Sequence, residues 1–582
     1  MIRRSLLLAA ALLLPAVPAA AADSDTAVRA DVPAVLTIDQ RAAYREIFAA
    51  IHAADWAGAN ARLDSMPVGP LHDAAREEIY LGKDSPRVEL DPLLALLARA
   101  PDLPRADQLS RLALVRGATE LPPLPRPQIL VSQGGAPRRI RPQSGPRDPV
   151  SAEVDGHIQP LIVANKPAEA EAQLVQRQAE IPAVALTEFQ QRIAWSYYIV
   201  GDDISAARLA SSALAGAGDW AVQAAWTLGL ADWRMRQCDA ASDAFASVAS
   251  RSSDYELVAA ADYWGARADT MCGRPERVEA RLRSAARLKE TFYGLLAATE
   301  LGIKGANFEG LHDYHDSEWR AVAGRPDVRA AIALAEIGER ELADLFIRHQ
   351  ARIGGDHDAL VHLACGLDLP WTQFWLAHNA PSGTRVNIAA RYPSPGWRPA
   401  RGWRVDPSLV FAYALQESAF QTNAVSPAGA YGLLQVRPGT AGDIARSRGE
   451  TFERSELIDP SQNIEFGQTY IESLRDSDAT GGLLPKVIAA FNAGPVPVAD
   501  WNARRFDQGD PLLYIESIPY WETRGYVPTV LRNYWIYEEE AGKDGGSRLA
   551  LIQGLWPRFP GLPGARAIRE KPEAAALAYG SR

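Results

Sequence analysis

Apolar residues recur along most of this chain at the three- and four-residue spacing that puts them on one face of a helix. Tyr44, Ile47, Phe48 and Ile51 form such a face, and Trp56, Ala59 and Leu63 form the next. The runs Leu93 to Ala98 and Leu109 to Val115 continue the pattern. It stops between Leu121 and Pro149, where eight prolines, three glycines and five arginines share one stretch. Prolines at that density exclude a helix, and no alternation marks a strand. The stretch reads as a locally basic linker or long loop, a mobile solvated tether rather than a binding arm.

Beyond it, helical pairs repeat. Trp195 to Tyr198 lead to a turn at Gly201, Ala225-Trp226 to a turn at Cys238, and Tyr263-Trp264 to a turn at Cys272. These turns are 37 and 34 residues apart, close to the ~34-residue helix-turn-helix period of tetratricopeptide-type solenoids. Alanine-rich faces allow close helix contact, and stacked pairs bury faces that one pair alone leaves open. Pairing continues through Arg329–Ile353 and Leu360–Ala377. The expected fold class is therefore all-α, with an α-superhelix of helical hairpins. Cys238 and Cys272 fall at equivalent turns. They are either bridged, as an oxidising compartment permits, or two unpaired small residues. Cys365 lies in an apolar run and reads as a buried free thiol.

Composition narrows the class. The 582 residues carry 61 Lys plus Arg against 71 Asp plus Glu, a net charge of −10. That length predicts three or four domains. The acidic balance argues against a non-specific nucleic-acid binder. Three cysteines cannot staple a chain this long. At the start, Met1-Ile2-Arg3-Arg4 precedes an apolar run from Ser5 to Val17 and then small residues up to Asp23. This order is that of a cleaved signal peptide over residues 1–22. The run is shorter than the roughly 20 residues of a spanning helix, and no later segment is apolar enough to span.

The last third carries the candidate chemistry. Residues 401–582 contain neither His nor Cys. Ser-His-Asp and Cys-His catalysis and the usual zinc ligand sets are thereby excluded from this region. Carboxylates, hydroxyls, amides and aromatics remain, a set suited to glycoside cleavage. Asp406-Pro407 opens a mostly apolar helix that ends in Gln416-Glu417-Ser418-Ala419-Phe420. A carboxylate at the negative end of an apolar helix has a raised pKa, which suits a general acid. A surface glutamate at a helix end is the plainer alternative. Ser426-Pro427-Ala428-Gly429-Ala430 and Gly432-Leu433-Leu434-Gln435 follow, with glycines where backbone approaches a ligand. Further on come Phe491-Asn492-Ala493-Gly494 and Glu516-Ser517-Ile518-Pro519-Tyr520.

These motifs, in this order, resemble those of the soluble lytic murein transglycosylases. Thr291-Phe292-Tyr293-Gly294-Leu295-Leu296-Ala297 resembles the end of that family's helical superhelix. The resemblance implies a lysozyme-like α-helical catalytic domain on a ring-shaped α-superhelix, working in the periplasm without cofactor or metal. The implied partner is the peptidoglycan glycan strand, with other cell-wall enzymes as a further class of partner. The implied reaction breaks the β-1,4 bond from N-acetylmuramic acid to N-acetylglucosamine and leaves a 1,6-anhydromuramoyl end. Glu417 matches the single catalytic acid/base. Ser426 and Gln435 match positions lining the sugar sites, Glu516 a second acidic residue of the groove, and Asn492 a motif asparagine serving structure more than binding.

Two residues depart from the family. Phe491 replaces a tyrosine common among relatives, removing any hydroxyl contact to the acid. Arg437 replaces a methionine, and either pairs with a stem-peptide or lactyl carboxylate or points to solvent. Two rival readings stand beside this one. A hydrolytic muramidase would need a second carboxylate, for which Glu516 and Asp443 are the sources. A non-catalytic scaffold would hold glycan without cutting it. The expected organisation is a signal peptide (1–22), an N-terminal helical region (23–120), the Pro-rich linker (121–155), the superhelix (156–380), the catalytic domain (381–545) and a tail (546–582). In the tail, Trp556 and Phe559 stand out as docking residues.

Overall fold

A computed structural model of the chain describes residues 32–216, 218–303, 320–504 and 507–570. Residues 1–31, which include the expected signal peptide, and the last twelve residues lie outside these. Helices dominate, and the strands among the described residues form two short antiparallel pairs. No helix among the described residues is long and apolar enough to cross a membrane.

The chain divides into two compact units. The first joins Met1–Gln128 to Tyr314–Leu369. Its opening helix, Ile38–His52, starts at a reciprocal cap between Thr37 and Gln40, which satisfies backbone donors that a helix start leaves free. The buried Glu336 carboxylate accepts the Val35 N–H at 2.6 Å and the Arg41 guanidinium at 2.7 Å. The helices Pro326–Ile337, Arg340–Ile353 and His357–Gly366 thus belong with the N-terminal helices. The periodicity of one repeat does not reveal which neighbour it stacks on.

The second unit joins Ile129–Asp313 to Pro370–Arg582. Its hairpins run from Ala183–Val200 to Pro275–Ala286 and close with Phe292–Glu300. Gly201 ends the first of these helices in the left-handed conformation, at φ 87°, and Asp202 caps the next. Small residues set the spacing: a Cβ on Gly229 would stand 2.6 Å from the Phe245 ring. Trp226, Phe245, Trp264 and Trp233 then follow one another at ring separations of 5.2–6.1 Å. Cys238 and Cys272 are bridged, with their Cα atoms 5.6 Å apart, and Cys365 is buried and outside any disulfide.

The Pro-rich stretch is not a tether. Leu130–Ser132 pairs antiparallel with Asn379–Pro381. The Ile140 N–H donates to Asp254 at 2.7 Å, and Arg147 reaches the buried Glu188 at 2.5 Å. Arg532 donates to the Pro137 carbonyl at 2.6 Å, and the Trp220 indole to that of Gln143 at 3.1 Å. Proline density excludes a helix, but it also lowers the entropy lost when an extended segment docks. Two of the arginines that made the stretch look solvated, Arg139 and Arg147, anchor it through buried carboxylates.

The rest of the second unit is a lobe of short helices around the long helix Trp521–Glu540. Trp535 of that helix is buried against Phe292 of the superhelix, with ring centres 5.0 Å apart. The segment after Gly546 also packs here. Trp556 is fully buried and donates to the Gly509 carbonyl at 3.0 Å, and the Phe559 N–H donates to that of Gly482 at 2.8 Å.

The bridge closes a loop across 34 residues of sequence, a constraint on the unfolded chain of about 2–4 kcal/mol. Cys238→Ser should lower stability by that amount in chemical denaturation. Dithiothreitol should destabilise the unsubstituted protein equally and leave the variant unchanged.

Candidate active site

The helix Pro407–Ser418 is capped by Asp406, whose carboxylate accepts the Ser408 N–H at 3.0 Å. Its residues Ser408 to Ala414 are all buried, so the helix that carries Glu417 lies within the core of the lobe. Past Ser418 the chain turns sharply. Ala419 and Phe420 both take left-handed backbone conformations, at φ 50° and 65°, and Gln435 does so at 47°. Three non-glycine residues in that region are held against a cost of roughly 1–2 kcal/mol each.

What holds them is a buried polar frame. Ser418 donates its hydroxyl to the Leu433 carbonyl at 2.9 Å. Asn463, wholly buried, accepts the Leu434 N–H at 2.8 Å and donates to the carbonyls of Tyr431 and Leu457 at 2.9 and 2.8 Å. Gly432, at φ 71°, is required here because a Cβ would stand 2.2 Å from the Leu457 oxygen. The loop from Ser426 to Val436 is thereby fixed beside the end of the acid's helix.

Glu417 is partly buried and accepts a hydrogen bond from the Tyr526 hydroxyl at 2.5 Å. Burial raises its pKa from 4.5 to about 7, the Tyr526 hydrogen bond opposes this, and the charge of Glu522 adds to it. Burial also holds the Tyr526 phenol well above its usual range, so it stays protonated and donates. Tyr413, Phe491 and Tyr470 supply the apolar wall. The Phe491 ring lies 4.5 Å from that of Tyr413 and 5.6 Å from that of Tyr470. The Tyr413 hydroxyl is buried without a hydrogen-bond partner among the described residues.

The other candidates divide. Ser426 is partly exposed, and its hydroxyl accepts the Ala430 N–H at 3.0 Å. It can still donate outward. The Gln435 amide donates to the carbonyls of Gly432 and Ala424, at 2.8 and 3.3 Å, and so braces its own left-handed turn. Asn492 accepts the Thr523 hydroxyl at 2.6 Å and donates to Glu522 at 3.4 Å, which ties the helix Leu484–Ala493 to the start of the long helix. Arg437 is exposed at the start of the helix Pro438–Ser447, and its charge is felt by Tyr470.

Glu516 is not a groove carboxylate. It is 1% exposed and takes both Arg139 guanidinium nitrogens, at 2.9 and 3.0 Å, plus the Tyr293 hydroxyl at 2.7 Å. A motif match carries residue type, not which side of a helix its partners occupy, and here the partner comes from the Pro-rich strap. Asp443 is exposed and paired with Arg446. The reading of sequence overlooked Tyr526, Glu522 and Asn463. Tyr526 and Glu522 sit one helical turn apart at the start of an aromatic-rich helix, and that i, i+4 pair was the only signal of a shared face.

A carboxylate whose pKa is raised on folding binds its proton more tightly in the native state. Stability is then fullest below 4.5 and is lost as pH rises towards about 7. Glu417→Gln removes that loss. In denaturant titrations the variant should match the unsubstituted protein at pH 4.5 and exceed it at pH 8, and a constant difference would remove Glu417 as the titrating group.

Residues 398–513 match the family model of the transglycosylase SLT domain. The soluble lytic murein transglycosylase of Salmonella typhimurium is 36% identical over 148 residues, 25% of this chain and 23% of its own length. That of Escherichia coli K12 is 36% identical over 132 residues, 22% of this chain and 20% of its own. These sequence matches thus span about a quarter or less of the relatives. Similarity of fold reaches further. The 70 kDa soluble lytic transglycosylase of Escherichia coli superposes with a TM-score of 0.51 at 16% identity, over 90% of this chain and 99% of that one. An inactive Glu-to-Gln mutant of the lytic transglycosylase Slt of Pseudomonas aeruginosa gives 0.51 at 20% identity, over 86% of each chain. Residues 398–513 are thus similar to the transglycosylase SLT domain, within a chain whose all-α fold is like that of the solved soluble lytic transglycosylases.

Proposed function

We propose that this protein is a periplasmic lytic transglycosylase. It cleaves the β-1,4 bond from N-acetylmuramic acid to N-acetylglucosamine in peptidoglycan, with Glu417 as its one acid/base. The observation that carries this reading is a partly buried carboxylate with a pKa of about 7, hydrogen-bonded by a tyrosine that stays protonated. A general acid needs a pKa near the working pH. The two carboxylates that the sequence offered to a hydrolase are committed elsewhere, Glu516 to Arg139 and Asp443 to Arg446.

In the proposed step, protonated Glu417 gives its proton to the glycosidic oxygen as the bond to the muramoyl C1 breaks. The substrate's acetamido group stabilises C1. Ionised Glu417 then takes the proton from the muramoyl C6 hydroxyl, and that oxygen bonds to C1. The acid is regenerated, the anhydro ring closes and no water is consumed. Tyr526 supports the ionised state between the two transfers, and Ser426 is placed to donate to a sugar in the neighbouring site.

Mass spectrometry of products from purified peptidoglycan tests the reaction. Anhydromuramoyl ends from the unsubstituted protein, and none from Glu417→Gln, are expected. Reducing ends would replace the proposal with the hydrolase, and binding without cleavage by either protein would replace it with the scaffold. The protonated acid is the reactant, so turnover should fall as pH rises through about 7. Tyr526→Phe removes the bond that lowers this pKa. The falling limb should move to higher pH and the maximal rate drop about 10-fold, the cost of one hydrogen bond to a charge.

A further inference from the structure

Apart from Glu417 and its neighbours, the second unit holds a partly open cavity of about 270 Å³. Its walls come from the Pro-rich strap, the helices Ala183–Val200 and Asp219–Arg234 of the superhelix, and the first turn of the long helix. The proposed reaction uses none of the residues that line it. The volume falls just below ordinary ligand pockets of roughly 300–1,000 Å³, room for about one sugar unit rather than a strand.

The chemistry of the lining is unusual. Arg524 is 9% exposed, with its guanidinium 3.9 Å from the centre of the Trp195 ring and 5.1 Å from that of Trp521. Its one hydrogen bond runs to the Ile518 carbonyl at 3.2 Å, and it has no ion-pair partner among the described residues. The nearby Glu516 is already doubly bound to Arg139. Burial pulls the Arg524 pKa down to about 9, as for a cation whose charge lacks full compensation. Trp226 also lines the cavity and is 2% exposed, with the Arg139 guanidinium 4.7 Å from the centre of its ring. Arg141 is exposed at the rim.

A buried guanidinium with open donors, flanked by indole rings and with a second arginine at the rim, is suited to a carboxylate on a ring with an apolar face. We propose that this cavity is a second, non-catalytic site for a carboxylate-bearing N-acetylmuramoyl unit, whose carboxylate is held by Arg524 and Arg141. The choice of sugar rests on the function proposed above. That carboxylate is either the lactyl group of a naked muramoyl unit or the end of a stem peptide.

The full-length Glu417→Gln protein, which cannot turn over substrate, serves for calorimetric titration with three probes. N-acetylmuramic acid carries the lactyl carboxylate, N-acetylmuramoyl-L-alanyl-D-isoglutamine carries only the peptide one, and N-acetylglucosamine carries neither. We expect one or both acidic probes to bind and N-acetylglucosamine to fail. Adding Arg524→Gln or Arg141→Gln should weaken the acidic probe about 10-fold or more, the cost of a charged hydrogen bond. Whichever acidic probe binds identifies the source of the carboxylate. Arg141 is exposed, so its variant decides the matter even where Arg524→Gln does not fold. Equal binding of N-acetylglucosamine, no binding of either acidic probe, or unchanged affinity in the folded arginine variants would overturn the proposal. Anhydromuramoyl production by the unsubstituted protein is scored separately, so loss of the second site and loss of the proposed reaction cannot be confused.

Discussion

Taking a carboxylate out of water costs several kcal/mol unless positive charge or donors replace the lost hydration, and this chain meets that cost in two opposite ways. Glu516 receives a bidentate guanidinium and a phenol, which occupy its carboxylate oxygens with donors. Glu417 receives one phenol, a neighbouring carboxylate and aromatic walls, and it gives way by holding a proton near neutral pH. One residue is thereby a joint and the other a candidate acid. Residue type did not assign these roles; their partners did.

The joint explains how the acid's surroundings stay rigid. Glu516 ends the short helix before the long one, so fixing it to Tyr293 of the superhelix and Arg139 of the strap positions the start of Trp521–Glu540. The Trp264 indole supports the same phenol at 2.9 Å, which extends the network into the aromatic line of the repeats. Tyr526 and Glu522 ride on that helix towards Glu417, while Trp521 and Arg524 ride on it towards the cavity. Residues 521 to 526 span little more than one turn, so two environments share a single rigid element.

Much of this was legible in the sequence. Helical periodicity is a local property, and it disclosed the hairpins, the turn at Gly201 and the apolar helix that ends at Glu417. The raised pKa of Glu417 followed from its helix position and neighbours alone. Two kinds of feature were hidden. Pairings across hundreds of residues leave no local trace, so Arg139 read as part of a solvated tether and Glu516 as an open groove acid. Residues that hold backbone in place also look like residues that hold ligand. The Gln435 amide bonds its own turn, and Asn463 gave no signal although it pins three points of the glycine loop.

The strap also makes the lobe of short helices dependent on a distant part of its own chain. Arg139 and Glu516 are 377 residues apart, yet neither is stable buried without the other. A fragment cut at the boundaries of the SLT family match would lose Arg139, and it would leave the rest of the joint outside as well. Synthesis from the N-terminus makes the arginine first, and it must wait until nearly the whole chain has emerged. Closing so long a loop adds only a few kcal/mol of entropy, because that cost grows with the logarithm of length. The SLT family match thus ends short of both members of this ion pair.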